Sequence, residues 1–575
     1  MSSNFALEKK EGFLFLHQFK KQLNEVMKQF YSFTLFLCLS VASFAQITIK
    51  DGSLQANGTY TWTSDNEYLL DGFVFLEAGA TLNIEAGTLI KGKEIPTTGD
   101  NASALIITRN ATINAIGTKD APIIFTAEID DINDDTDLLP TDRGLWGGLI
   151  ILGNGKIADD ACEQSVEGLP PGDTRAIYGN PDCSEAFATE SSGVLNYISI
   201  RHGGTEIGAG NEINGITLAG VGSGTNIDFV EVFANLDDGI EWFGGSANVK
   251  HAAVSFCGDD GMDYDHRWVG NGQFWFVLTD ADGDNGGEHD GASPDENPQG
   301  YSNPTIYNAT YIGAGAAGSD IGILFRDNTA GTYGNSIITN YENGLEIEDI
   351  DGDVDAYNHF TSGELRLNNN IWFGFQSTLF KDTPNGAMAI FTASGNTEEN
   401  PQLGGISHTA DGGLNPIPNI AGAAYSNVAA VPDDTFFVAA PYKGAFCDQG
   451  AWIADWTALA QMGILDPSIP FDDSSCDMVA VEDLLARKMG YKLEQNTPNP
   501  FSGHTKIEFE LPISTNISIS IYNIDGKRIN TLLDNERLME GKHSIDFNAN
   551  ALPKGIYFYV LQNAEVVITQ KMIVE

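Results

Sequence analysis

The sequence predicts an all-β protein: a right-handed parallel β-helix with coils of about 22 residues, followed by a small Ig-like β-sandwich. Three observations predict it. First, "NIDFVEVFANLDDGIEWFGGSA" from Asn226 aligns with "NVKHAAVSFCGDDGMDYDHRWV" from Asn248. The offset of 22 brings Asn226 onto Asn248, Val232 onto Val254 and Asp237-Asp238-Gly239 onto Asp259-Asp260-Gly261, as in stacked repeat units. Second, apolar residues within a unit alternate (Val230, Val232, Ala234, then Ile240, Trp242), which is strand spacing and not helix spacing. Third, from Tyr491 the texture changes to alternating strands separated by turn residues such as Asp525-Gly526.

The elements follow in chain order. Residues 28–46 read "KQFYSFTLFLCLSVASFAQ", a basic start, an apolar run and a small-x-small site. This is a signal peptide over 1–45, cleaved between Ala45 and Gln46, with Met27 as the expected true start. The run is too short for an anchor, so no transmembrane segment is expected in the mature chain. The solenoid is placed over 46–441, with insertions at 128–143, 158–191 and 280–303. Strands stack at about 4.8 Å per coil, and Asn226 over Asn248 reads as a side-chain amide ladder. Residues 442–490 are assigned to a C-terminal cap and a linker containing "VEDLLARKMG", and 491–575 to the sandwich.

The chain has 30 Lys+Arg against 79 Asp+Glu, a formal charge of -49, which repels phosphates and excludes nucleic acid and anionic lipid as partners. With 42% hydrophobic residues it is not a disordered composition. Export permits disulfides. Cys162 and Cys183 are candidates to staple one insertion and Cys447 and Cys476 the cap, leaving Cys257 as a core thiol.

"LEQNTPNPF", "IYNIDGK", "LPKGIYFYVL" and "QKMIV" occur in order within 491–575 and resemble the type A C-terminal sorting domain of the Bacteroidetes type IX secretion system. Glu575 stands where that domain usually ends in Lys. The resemblance implies the type IX machinery as a partner, passage through the periplasm and outer membrane, and a secreted or cell-surface destination. "GGLIILGN", "ISIRHGGTEIGAGNEINGITLAGVGSGT" and "SNPTIYNATYIG" resemble secreted Bacteroidetes β-helix proteins, which implies the architecture and little about chemistry.

The chemistry-bearing residues are acidic. At a strict period of 22, Asp238, Asp260 and Asp282 form one column, with Asp237 beside Asp259. Carboxylates about 5 Å apart repel unless a cation, a shared proton or solvent offsets them. Asp280, Asp282 and Asp284 alternate as in a calcium loop, as do Asp349, Asp351, Asp353 and Asp355, so calcium is the expected cofactor. Asn285 and Gly291 at the sixth and twelfth loop positions exclude an EF-hand. For an enzyme, Asp237, Asp238, Asp259, Asp260 and Asp263 are the candidate acid and base carboxyls, and Arg201, His202, His266 and Arg267 the candidate lyase bases. "GAGAAG" at Gly313 is followed by strand-like "DIGILF", not a helix, so no nucleotide site is expected. Trp242 and Tyr264 share the parity of Ile240 and Met262 and are expected in the core. Glu241 and Asp263 between them are expected to face out. Trp275, aligned with Glu231 and Ala253, is expected to face out and stack on a glycan. The expected function is adhesion to, or binding of, glycans or surfaces. The alternatives are a polysaccharide lyase or glycoside hydrolase using the acidic column, and a structural surface-layer or matrix component.

Overall fold

The computed structural model describes residues 45–158, 162–170, 172–208, 211–292, 300–315, 318–350, 354–473, 489–523, 527–550, 552–563 and 566–574. Of the first compact unit, Met1–Gln46, only Ala45 and Gln46 are among them. The rest of the expected signal segment, Asp351, Asp353, Cys476, most of the linker and Glu575 lie outside the described residues.

The main body is a three-faced coil stack. Long strands such as Asn226–Phe233, Asn248–Ser255 and Asn271–Leu278 pair in parallel and supply two of the faces. Each bends at a residue in the left-handed region: Phe229 (φ 52°), His251 (φ 48°) and Phe274 (φ 59°). Their first halves and second halves pair with different short strands farther along, Thr305–Tyr307 and Thr310–Ile312 in the case of Asn271–Leu278. The third face is a ten-stranded parallel sheet whose centre is Ile216–Ala219, Ile240–Phe243, Met262–Asp265, Gly287–Asp290 and Ile321–Arg326. The core runs up the axis, with Val230, Val232, Trp242, Tyr264, Trp268 and Trp275 all buried.

Each Asp-Gly step before the third face is set by close stacking. A Cβ on Gly239 would lie 2.2 Å from Val254 Cγ1 and 2.6 Å from the Gly261 carbonyl oxygen. Only glycine fits such an approach, which is why Asp237-Asp238-Gly239 recurs as Asp259-Asp260-Gly261.

The coils are not of uniform length, and this corrects two expectations. Asn271 aligns on Asn248, donating its backbone N–H to Asn248 Oδ1 at 2.8 Å, an offset of 23 and not 22. Trp275 therefore pairs with Ala252, not Ala253. A slip of one residue turns every side chain to the other face. Trp275 is fully buried, stacked on Trp242 at 5.2 Å and donating Nε1–H to Val249 O, so it is not available to a glycan. Farther on, Met262 pairs with Gly287, an offset of 25, and Asn285 takes the column position expected for Asp282.

The insertion around 162–178 lies on the outside of the third face, where Val166, Leu169, Ala176 and Tyr178 pack on Ile150, Leu152, Ala219 and Phe243. The Cys162–Cys183 disulfide closes it. Arg175 ties it to the first coils through Asp51 and Glu77, its guanidinium 3.8 Å above Phe75. Cys447 is also disulfide-bonded, its partner being outside the described residues, and Cys257 is a free, buried thiol pushed up to about 12 by desolvation.

The segment expected to close the end of the stack does something else. Residues 442–469 run back along the outside of the second face, where Phe446, Trp452, Trp456, Leu459 and Leu465 cover Phe233, Phe256, Phe276 and Leu278. Those outward positions are apolar and cannot be left in water.

The C-terminal domain packs a three-stranded and a four-stranded antiparallel sheet around Phe501, Ile507, Ile519, Tyr559 and Met572. "LEQNTPNPF" belongs to it: Leu493 starts the first sheet, and Asn496 is buried, donating to Pro498 O and Thr505 Oγ1. Among the described residues no helix is long and apolar enough to cross a membrane.

Candidate functional site

The third face carries the acidic site, and its geometry follows from strand parity. In "IEWF", "MDYD" and "GEHD", Trp242, Tyr264 and His289 point inward, so Glu241, Asp263 and Glu288 point outward. Register stacks these three on successive coils, as expected for Glu241 and Asp263. Asp238 and Asp260 occupy the turn just before the strands, with Asp237, Asp259 and Asp284 beside them.

The result is a ribbon of eight carboxylates in four overlapping groups: Asp237/Asp238/Asp259, Asp238/Glu241/Asp263, Asp259/Asp260/Asp284 and Asp260/Asp263/Glu288. Within each group one oxygen per residue lies within 4.8 Å of the others. Asp237, Asp238, Glu241 and Asp260 are buried, while Asp259 and Asp284 reach solvent at the edge.

The two turn aspartates are staples. Asp238 Oδ1 accepts the Asp260 N–H (2.8 Å), Asp260 Oδ1 accepts the Asn285 N–H (2.7 Å), and Asn285 Oδ1 accepts the Ile321 N–H (3.2 Å). Asn does in one coil what Asp does in the two before it. Farther out, partners are missing. Asp263 Oδ1 is buried without a hydrogen bond, and so is Asn214 Oδ1, although Asn214 Nδ2 donates to Glu241 Oε2. Glu167, on the insertion, hydrogen-bonds the Glu241 carboxyl from the rim.

Among the described residues, few cations stand against this ribbon. Arg326 pairs with Asp290 (Nε–Oδ1 2.8 Å) and with Glu288, and Lys381, two strands on, pairs with Asp320 and Glu346. Burial with too few counter-charges raises the carboxyls, desolvation first and neighbouring carboxylates second. Asp237 and Glu288 are pushed up to about 8. Asp238, Glu241, Asp260 and Asp263 lie well above the carboxylate range for the same reason. For Asp290 and Glu167, at about 7, desolvation again leads, and hydrogen bonds (Arg326 for Asp290, Asn214 for Glu167) pull the other way.

The other expected residues are not brought here. Asp280 is paired with Arg143, and Asp282 is exposed and closes a local turn on Asp280. Of that run only Asp284 joins a carboxylate group, with Asp259 and Asp260, so its alternating aspartates do not converge as a calcium loop. In the second run Asp349 is exposed and Asp355 is buried as the N-cap of Ala356–Ser362, accepting from Asn358 N, which leaves it no ligand role. Arg201 and His202 lie under the returning C-terminal segment: Arg201 donates to Ser199 Oγ and Gln461 Oε1, and His202 Nδ1 pairs with Asp142 O. Arg267 is held by Glu185, and His266 sits beside Asp265 and Phe243 at the strand end. Sequence reasoning missed Glu288, Asp290, Glu167 and Asn214. "GEHD" would have been found by sliding it onto "MDYD" once coil length was allowed to vary. Glu167 and Asn214 carry no repeat signal.

Comparison with known proteins adds the following. Residues 52–413 match the family model described as a pectate-lyase like beta helix domain, and residues 497–575 match the secretion system C-terminal sorting domain. Comparison with curated proteins finds no match. Among solved structures the chain is similar to the enzymatically active domain of tailspike protein 2 of bacteriophage CBA120, at 9% identity over 90% of this chain and 72% of that one, TM-score 0.22. It is likewise similar to the full-length tailspike protein 2 of Escherichia coli O157:H7 bacteriophage CAB120, at 9% identity over 90% and 64%, TM-score 0.20. At those scores the likeness carries no argument.

Proposed function

The chain belongs to the pectate-lyase-like β-helix family and is exported by type IX secretion to the cell surface or extracellular space, and from there we propose that it binds extracellular polysaccharide along its acidic third face, with calcium on the carboxylate ribbon. The observation that supports this is the ribbon itself: eight carboxylates in overlapping groups within 4.8 Å, with Arg326 as the counter-charge at one end. Hard oxygen donors at that density suit calcium, and calcium held at an open edge keeps coordination positions for carboxylate or hydroxyl oxygens of a glycan. The test is a melting curve and a binding panel of acidic, uronate-containing polysaccharides on the full chain, each with calcium and with chelator. The proposal expects a calcium-dependent rise in melting temperature and binding that chelator removes. A melting temperature and binding that ignore calcium overturn it.

A second reading has its own observation. The Glu167 carboxyl, raised to about 7, hydrogen-bonds Glu241 at the rim, so one member of that pair holds a proton at neutral pH while the other is free to ionise. Glycoside hydrolysis needs a protonated and an ionised carboxyl about 5–9 Å apart across the sugar, so in this reading the hydrogen-bonded Glu167/Glu241 pair is the acid and another carboxylate of the ribbon is the nucleophile or base. New reducing ends on the same panel, lost in Glu167→Gln, select it; unsaturated ends would mean lyase chemistry instead.

A further inference from the structure

We propose that a second, cation-independent site for neutral polysaccharide lies at the corner where the first-face strands begin, between the loops at 188 and 434–436. A groove of about 450 Å³ opens there, within the range of small-molecule sites (about 300–1,000 Å³). Its floor is the head of two successive coils. Asn271 N–H is bonded to Asn248 Oδ1, and the Asn248 NH₂ and the Asn271 amide have no protein partner among the described residues. One wall is fixed by Ser223 and Ser246, whose hydroxyls both donate to Ala188 O (3.0 and 2.6 Å). The other wall is Phe436. Lys250 holds it twice, with Nζ 2.6 Å from the Phe436 carbonyl oxygen and 4.7 Å from the ring centroid.

The lining selects the ligand class. Two side-chain amides offer both donors and acceptors, the Asn248 oxygen being shared with the Asn271 N–H, and sugar hydroxyls require both. The Phe436 ring offers an apolar wall for the C–H face of a pyranose. Asp434, at the rim, already accepts the Phe436 N–H at 2.8 Å. Asn248 and Asn271 stand one coil apart, about 4.8 Å, close to one sugar step of an extended chain. None of these residues belongs to the carboxylate ribbon, so the site stands or falls without calcium.

The test is saturation-transfer NMR and calorimetry on the full chain with cellohexaose, laminarihexaose, xylohexaose and maltohexaose, with and without EDTA. At least one is expected to bind, equally with and without EDTA. Phe436→Ala and Asn271→Ala are each expected to weaken it at least tenfold, while Phe436→Trp, which keeps an aromatic wall and the loop in place, retains it. Asn271→Ala leaves the 434–436 loop untouched, so its loss of binding is not a folding effect. Binding of none of the four, binding indifferent to both alanine variants, or binding abolished by EDTA overturns the proposal. The last outcome would move the sugar to the acidic ribbon.

Discussion

Two outward-facing acidic residues, on different faces of the same stack, have opposite fates. Glu231, on the second face, is fully buried under the returning C-terminal segment, and although burial raises its carboxyl, donors and a cation surround it. It accepts from Ser199 Oγ (2.6 Å) and from Ala458 N (2.9 Å), with Arg201 beside it. Asp263, on the third face, has a buried oxygen with no donor, and its nearest charges are other carboxylates. A buried charge with partners stabilises the piece of chain that supplies them, whereas one without partners is held at a cost unless something external arrives. The second face is thus finished by the chain itself. The third is left to be finished by protons, cations or ligand.

The largest expected effect breaks the finished face. Glu231→Ala leaves the Ser199 hydroxyl and the Ala458 N–H without their acceptor and takes a counter-charge from beside the buried Arg201, and removing one member of such a network costs about 3–5 kcal/mol. A lower chemical-denaturation midpoint and early protease cleavage within 442–469 are the measurements. Unchanged protection of that segment would mean that its apolar contacts alone hold it.

On the unfinished face the sign reverses. Asp263→Asn puts a permanently neutral group, able to donate to the carboxyls around it, where ionisation of the buried carboxyl is disfavoured, and relief of that unmet group is worth about 1–3 kcal/mol. The variant is expected to be more stable than the parent in chelator and less responsive to calcium. Destabilisation in chelator would show that Asp263 has an intramolecular partner after all.

The pH dependence sharpens the same contrast. Folding raises Asp237 and Glu288 to about 8, so the folded chain binds those protons more tightly than the unfolded one. Their stabilising contribution is complete below the unfolded carboxyl value near 4 and is lost as pH rises through about 8. In chelator the melting temperature is expected to fall between pH 5 and about 8.5. Calcium should restore it at the high end and do little at pH 5, where protons already occupy the ribbon. A flat profile would mean that the carboxyls are solvated and not raised.

How much of this was legible in the sequence depends on whether a residue is placed by the repeat or by a partner far away in the chain. Asp-Asp-Gly at 237–239 and 259–261, the inward Trp242 and Tyr264, and the outward Glu241 and Asp263 are all fixed by period-two parity within one coil, and the structure places them as the repeat requires. Trp275 and Asp282 do not follow the expectation because a strict 22 does not hold in coils of 23 and 25, where an odd number of inserted residues reverses parity. Glu167 reaches the site from a disulfide-closed insertion, and Arg326 from beyond another, so spacing could not announce either. The C-terminal segment was misplaced for a related reason: its Trp452 and Trp456 mark burial, but only the apolar outer face of distant strands says against what.

The smallest expected effect separates a staple from a catalyst. Asp238 is one of the candidate acid and base carboxyls and repeats at Asp260. Its Oδ1, however, is engaged by the Asp260 N–H, in the same way that Asn285 accepts from Ile321 N two coils later. Asp238→Asn keeps an acceptor oxygen of the same shape and removes one of several crowded charges, so stability in chelator should change by about 0.5 kcal/mol or less, or rise slightly. If the residue is a staple, any polysaccharide cleavage by the protein survives this substitution, while Asp238→Ala, which removes the acceptor, lowers the melting temperature. If cleavage instead disappears in Asp238→Asn with the melting temperature unchanged, the carboxyl acts on the substrate and the third face is a catalytic surface built on its own turn ladder.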